Sequence, residues 1–566
     1  MNYRDIVARM QARAMARPLN RRTFLMGSAV SAVGLTYPGL ARRQATPVAT
    51  PVFGDNPFTL GVASGEPLPD GVVLWTRLAP QPFEAFGGMP VQAVEVQWRI
   101  ATDEHLTDVV QSGTAIASPD WAHSVHVEVE GLEANRPYWY QFQSGNELSP
   151  VGRTRTAPAA GTMPDNLRFA FASCQRWDQG LYTAWRDVAA QDVDLVVHLG
   201  DYIYESRVGL PPFRDDVKVP VRVALEPMDL EHYRYRYALY KQDPHLQEAH
   251  RLAPWMVTWD DHEVHNNFFG DVKRDEPAAQ MVLERRAAAY QAYYEHQPLR
   301  KESIPDGPDL QLFRKRLFGD LLQVNVLDTR QYRSGQGINC NAADRTDGYC
   351  ADSLDPARSL LGARQKAWLL DGFQETRTRW NVIANQVPMA RIDYDADPEM
   401  QSFGGTEMDK WDGYAYERDE VVQAMSAAAG ANGFHPVVIT GDVHASYVWD
   451  LKTDWDDESG ETVFGTEFVG TSISSNGDNP LRDDGGFTTQ CGNRNGNAHN
   501  HFYDNHRGYV LCNAGAERYS AEYRVMPNVS DDAAEAVSLA TFSVDWNQTG
   551  AQIDSSCVPA VPGGES

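Results

Sequence analysis

Between residues 167 and 444 the chain repeats one arrangement of apolar and polar positions. Short, almost wholly apolar runs (LRFAFASC, DLVVHLGD, WMVTWDD, LLQVNVLDT, WNVIANQ and PVVITGDVH) each end in a cluster of polar side chains. Runs of this length without strict alternation predict strands buried on both faces. Stretches such as GLYTAWRDVAAQ and DLEHYRYRYALYK lie between them and predict helices. The segment therefore reads as α/β, with a sheet covered on both faces. Upstream, GVVLWTRL, VEVQWRI, SVHVEVEGL and PYWYQFQSG alternate or carry aromatics between Gly, Pro and Asn turns, which predicts an antiparallel β-sandwich. APAAGTMPDN (157–166) is a Pro/Gly-rich linker. Downstream, EFVGTSI, YVLCNAGAERYSAEYRVM and AVSLATFSVD predict strands that finish the sheet or add a second layer.

In open α/β sheets ligands collect beyond the strand ends, so Cys174, Asp201, Asp260, Asp261, His262, Asn385, Gln386, Asp442 and His444 are expected on one rim. Asp442 and His444 are two apart and face the same side if the chain stays extended, as a hydrogen-bonded pair or as metal donors. Asp201 and Tyr204, three apart, converge only if the chain turns as it leaves its strand; otherwise Tyr204 is a rim aromatic beside Tyr202. In WDDHEVHNN (259–267), Asp261, His265 and Asn266 are candidate metal donors and His262 a group to stabilise an anion or leaving group. A helix cap and a solvated acidic loop are the bland alternatives. HEVH is one residue short of the helical H-E-x-x-H zinc pattern. Phosphate-loop, dinucleotide-turn, nucleophile-elbow and CxxC motifs are absent. Carboxylates and amides suit calcium, magnesium or manganese, whereas a phenolate with a thiolate favours a strongly Lewis-acidic ion such as ferric iron.

Charge narrows the partners. The chain carries a formal charge of −27, and its first 45 residues hold eight Arg against the single acid Asp5, leaving −34 for the rest. Such a field repels nucleic acid and anionic lipid, so no stable nucleic-acid complex is expected and an anionic substrate needs local cations. NRRTFLM followed by GSAVSAVGLTYPGL is similar to a twin-arginine export signal and too short and weakly apolar to remain as a membrane anchor. Six cysteines fit an exported protein; Cys340 with Cys350 and Cys491 with Cys512 are candidate bridges, and Cys174 stands apart.

Taken in order, FASCQ, LGDYIYE, TWDDHEVHNN, LDTRQYR, LGARQKAWL, NQVPM and TGDVH resemble the PhoD-type alkaline phosphatase family, and the likeness runs from about Gly61 into the 520s. The resemblance implies an export signal over 1–45, an immunoglobulin- or fibronectin-like sandwich over 53–157, a metallophosphoesterase-like α/β catalytic domain of layered sheets flanked by helices over 165–525, and a strand and tail over 526–566. It implies one ferric ion with one or two calcium ions, and hydrolysis of small-molecule or lipid phosphate esters outside the cytoplasm after passage through the twin-arginine machinery. Cys174, Asp201, Tyr204 and His444 match the iron ligands; Asp201, Asp442 and Asn266 match calcium ligands; Asp261 and His262 match a metal-binding and a substrate-facing position. Arg207 matches the phosphate-binding arginine, and Gln175 and Gln386 lie in matching segments as substrate-binding candidates. His265 stands where relatives carry an acid. A dinuclear site of the purple acid phosphatase kind, a phospholipase D-like phosphodiesterase and a non-catalytic binder of the same fold are the alternatives.

Overall fold

The structure, a computed structural model, describes residues 51–214, 217–270, 277–335, 345–394, 401–405, 408–477, 489–491 and 497–555. The apolar runs fold into two facing sheets. The first has ten strands, among them β1 (Val62–Leu68), β2 (Gly71–Arg77), β3 (Ser124–Glu130), β4 (Asn166–Ala172), β5 (Leu195–His198) and β6 (Pro254–Val257). The second has eight, among them β7 (Leu322–Val326), β8 (Trp380–Ala384), β9 (His435–Thr440) and β10 (Val463–Val469). β11 (Arg507–Gly515) returns to the first sheet and pairs antiparallel with β4. Within the first sheet β4, β5, β6 and β1 run parallel. Within the second, β7, β8, β9 and β10 do the same, so the polar ends of both parallel sets can meet at one rim.

Strand alternation decides what lies between the layers. Phe169, Phe171, Val197 and Met256 of the first sheet meet Val324, Val382, Val437 and Phe468 of the second in one fully buried core. Each such Phe contributes about 1.5–3 kcal/mol by leaving water. The outer face of the first sheet, with Ala170, Val196 and Trp255, packs on α1 (Thr183–Ala190), α2 (Leu230–Lys241), α3 (Pro244–Leu252) and α4 (Pro277–His296). The outer face of the second, with Ile383, Val438 and Val469, packs on α5 (Gly362–Glu375) and α6 (Ala415–Asn432). The caps follow from sequence: the Asp229 carboxylate accepts the His232 N–H at the start of α2, and Asp243 with Pro244 opens α3.

The N-terminal region is a β-sandwich one layer of which is continuous with the first large sheet. Val62, Val72, Leu74, Val125 and Val127 on β1, β2 and β3 pack against Val96, Ile100, Tyr140 and Phe142 of a five-stranded antiparallel sheet. β1 is the joint, pairing parallel with β6 on one side and antiparallel with β2 on the other.

The cysteine expectations divide. Cys512 is a free, buried thiol on β11, opposite Phe169. The bridge to Cys491 does not form, because residue 491 lies on the edge strand of the other sheet. Cys340 lies outside the described residues, as do the export segment 1–45 and residues 556–566 of the tail. Among the described residues no helix is long and apolar enough to cross a membrane.

Candidate metal centre

Each strand that feeds the rim ends in a sharp turn. Cys174 (φ 60°), two residues past β4, and Asp201 (φ 57°), three past β5, both adopt the left-handed conformation. So do Asp442 (φ 66°) and His444 (φ 53°) after β9. Non-glycine residues pay of order 1–3 kcal/mol for such geometry and hold it where the surroundings over-determine it. The turn at Asp201 brings Tyr204 back over the rim, as the spacing required. The extended geometry expected for Asp442 and His444 is not found: with both in the left-handed region, alternation no longer governs their side chains, and they go to neighbouring groups.

Three groups of potential donors adjoin, each with its ligand atoms within 4.8 Å of one another: Cys174, Asp201 and His444; Asp201, Asp261 and His262; and Asp260, Asp261 and Asp442. Asp201 and Asp261 are each shared between two groups. The Tyr204 hydroxyl donates to Asp201 Oδ2 at 2.9 Å and lies 3.1 Å from His444 Nε2. His444 Nδ1 is held by the Asn476 carbonyl, which turns Nε2 toward the cluster. The His262 ring lies 4.1 Å from the Tyr204 ring between centroids, tilted by 30°, and its Nδ1 meets Glu205 Oε2 at 2.7 Å. Glu263, buried beneath, accepts the backbone N–H groups of Asp201, Tyr202 and Asp260 and so locks the ends of β5 and β6 together.

The electrostatics are those of a cation trap. Burial pushes the Cys174 thiol and the Tyr204 phenol well above their ordinary values, and the Asp201 carboxylate adds to both. Burial likewise drives the Asp201 carboxyl up, against the pull of His262. Asp442 is pushed up to about 7 by burial and by Asp409. Burial opposes the ionisation of Asp261, yet Arg330 and His262 hold it below the carboxylate range. Burial also opposes the His262 cation, but Asp261, Asp201 and Glu205 raise it well above the usual imidazole value. Four aspartates, a thiol and a phenol thus share one cluster with two imidazoles and the fully buried Arg330 guanidinium. Buried anions are stable only with compensating charge, and a hard, multiply charged cation flanked by carboxylates, thiolate and phenolate meets that need. The donor set therefore fits metal ions.

Residues 169–523 match the family model described as PhoD-like phosphatase, and residues 43–158 match that of the PhoD-like phosphatase N-terminal domain. The chain belongs to the PhoD-like phosphatase family. Alkaline phosphatase D of Bacillus subtilis (strain 168) is 44% identical over 544 residues, covering 94% of this chain and 88% of that protein. A solved structure of PhoD aligns with a TM-score of 0.80 at 42% identity, covering 91% of this chain and 95% of that one. This PhoD-like chain is accordingly a phosphoric ester hydrolase.

Not every residue expected at the PhoD-like rim reaches it. Gln175 is fully buried with its amide spent inside the fold: Nε2 donates to the Tyr202 carbonyl at 2.9 Å and Oε1 accepts Trp185 Nε1–H at 2.8 Å. Gln386 is equally committed, to Thr329, Thr258 and the Leu327 carbonyl. Both amides, expected among the substrate-binding groups, spend these hydrogen bonds inside the fold, where they brace the strand ends. Arg207 is exposed on the loop after Tyr204. Asn266 is also exposed, and its backbone N–H, donating to Glu205 Oε1 at 2.8 Å, ties it to the site. His265 turns to the Asn266 carbonyl at 3.0 Å.

Several supporting residues escaped the sequence reading. Arg330, in LDTRQYR at the end of β7, is fully buried and pairs with Asp260, with Asp409 at 3.2 Å and with Asp442 at 3.0 Å. Arg176 lays its guanidinium 5.5 Å from the Tyr204 ring centroid while pairing with Asp178 at 2.8 Å. Arg236 of α2 donates to the carbonyls of Tyr204, Ser206 and Leu225 and anchors the loop that carries the phenol. Arg176 and Arg330 follow strands and Arg236 lies within α2, but nothing local distinguishes the three from surface charges.

Proposed function

We propose that this chain is an exported, metal-dependent alkaline phosphatase with phosphodiesterase activity, working with one ferric ion and one or two calcium ions. The observation that carries the reading is the convergence of Cys174, Asp201 and His444 on one point with the Tyr204 hydroxyl bonded between Asp201 and His444. Cys174, Asp201, Tyr204 and His444 would hold the iron, and Asp201, Asp261, Asn266 and Asp442 the calcium. Such ions neutralise phosphoryl oxygens, orient the ester for in-line displacement and make water a competent nucleophile near neutral pH.

The protein's own groups do the rest. His262, held through Nδ1 by Glu205 and packed against the Tyr204 ring, is placed to turn Nε2 toward the departing ester oxygen as its proton donor. Arg330 holds Asp442 and Asp260 in place and offsets part of their charge. Arg207, exposed on its loop, is offered as a partner for a phosphate oxygen, where a bidentate guanidinium is strongest. Local positive charge can hold an anionic ester against a net charge of −27 because long-range repulsion is screened beyond about 8 Å at physiological salt. The export segment over 1–45, the sandwich over 53–157, the catalytic domain over 165–525 and the tail over 526–566 belong to the same proposal. So does a Cys340–Cys350 bridge, which the disulfide-bonded state of Cys350 supports.

The test is elemental analysis of the exported protein together with turnover of one phosphomonoester and one phosphodiester. Iron near one equivalent, loss of activity on calcium chelation and its return with calcium alone are expected. Cys174→Ala and Tyr204→Phe should each lower iron content and cut turnover at least a hundredfold with the melting temperature of the metal-free protein unchanged. Wild-type turnover in both variants, or full activity without iron, would refute the reading.

A further inference from the structure

Behind the candidate metal centre runs the segment Thr471–Gly477, reached as the chain leaves β10, and it touches three of the four residues around the Cys174 group. The Asn476 carbonyl takes His444 Nδ1. The Ser475 hydroxyl lies 2.8 Å from the Tyr204 oxygen and 2.7 Å from the Cys174 carbonyl, and it accepts the Arg176 N–H at 3.0 Å. Ser475 is fully buried. Nothing in the composition of TSISSNG marks it as part of a site.

A hydroxyl has one hydrogen to give, and here two acceptors compete for it. While Tyr204 keeps its proton and donates to Asp201, its oxygen is a neutral acceptor no stronger than the Cys174 carbonyl. A cation that binds the phenol releases that proton to solvent and leaves an anionic oxygen, and hydrogen bonds to anions are roughly twice as strong as neutral ones. The hydrogen therefore turns to Tyr204. The Cys174 carbonyl is not orphaned by the change, because the backbone N–H groups of Ser474 and Ser475 reach it at 3.4 and 3.2 Å. The Arg176 N–H, fixed in the backbone, keeps the Ser475 oxygen in place throughout.

We propose that Ser475 is a positioning residue of the metal centre: its hydroxyl donates to the ionised Tyr204 oxygen and thereby sets how strongly that phenolate gives electron density to its ion. The proposal rests on the reading that Tyr204 holds ferric iron. A donated hydrogen bond stabilises the phenolate lone pair and raises the energy of phenolate-to-iron charge transfer; its loss lowers that energy. The packing role of a small buried residue has no such optical consequence.

The test uses the full-length protein loaded with ferric iron and calcium, as wild type, Ser475→Ala, Ser475→Cys and Tyr204→Phe. The wild type should show a visible phenolate-to-iron charge-transfer band, told apart from thiolate-to-iron absorption by resonance enhancement of tyrosine ring vibrations, and Tyr204→Phe should abolish that band. Ser475→Ala should retain iron but move the band to longer wavelength and weaken iron binding against a competing chelator about tenfold. Ser475→Cys, with a weaker donor of similar size, should fall between, and it carries the test if the alanine variant does not fold. A band unmoved in both serine variants, with Tyr204→Phe bandless, overturns this proposal alone. A wild type without the band, or a Tyr204→Phe variant that keeps it, overturns the iron reading and this proposal with it.

Discussion

Lys241, at the last turn of α2, lies behind the Asp201 turn with its ammonium 4.4 Å from the Trp75 ring centroid and 5.2 Å from that of Tyr202. Burial lowers its pKa from 10.5 to about 7. Between those values the unfolded chain binds a proton that the folded chain does not, so folding stability rises with pH across that window and is flat outside it. The expected gain is of order a few kcal/mol. Urea midpoints at pH 7 and pH 10 should separate more in the wild type than in Lys241→Met, and parallel behaviour of the two would refute the assignment. Among the site residues, Cys174, Asp201, Asp261, Asp442 and His444 were legible because each closes an apolar run. Arg330 and Ser475 were not, since the side chains that give them meaning lie 112 residues from one and 271 from the other. Gln175 and Gln386 show the converse: they sit beside the donors in sequence and are fully buried in space.

The strands themselves were readable from their apolar runs, and the six candidates that end in polar clusters all form. What the runs could not convey is that they divide between two sheets, because a strand buried on both faces looks alike whether helices or another sheet cover it. Nor could they convey the left-handed turns at four non-glycine donor positions. Gly200 shows what those turns demand. It sits at φ +112° between β5 and Asp201, and a Cβ there would lie 2.4 Å from the Asp260 Cβ and 2.5 Å from its backbone nitrogen. The ends of β5 and β6 approach so closely only because that atom is missing. Gly200→Ala should push Asp201 off Asp260, costing about 2–4 kcal/mol of stability and most of the metal affinity, as read by thermal melts with and without added ions. Unchanged melting in both conditions would show that the turn tolerates the displacement.

At the scale of the molecule, the N-terminal strands were foreseen as a sandwich, but their continuity with the catalytic sheet was not, because β-pairing partners nearly two hundred residues apart leave no local trace. The joint is chemical as well as geometric. Glu66 on β1, fully buried, pairs with Arg314 and, at 2.7 Å, with Arg316, and Arg314 also reaches the Val257 carbonyl of β6 at 2.9 Å. Burial opposes the Glu66 charge, but the two arginines overcome it and hold its pKa at about 2 against 4.5 when free. Its contribution is complete above pH 4.5 and is lost as pH falls toward 2. Glu66→Gln should leave the buried Arg314 without its carboxylate, while Arg316 keeps Glu302 at 2.6 Å, and cost about 3–5 kcal/mol at pH 7, with a smaller penalty at pH 3, by denaturant titration at each pH. Equal penalties at both would mean that the ion pair does not cross the joint as described.

The donors hang from two different layers: Cys174, Asp201 and Asp261 from the first sheet, Asp442 and His444 from the second. Ions gripped from both sides act as rivets driven through the stack, so any shear of one layer over the other must stretch a bond to metal. Stripping the ions would then loosen the mechanical coupling of the two halves as well as silence the chemistry at their edge.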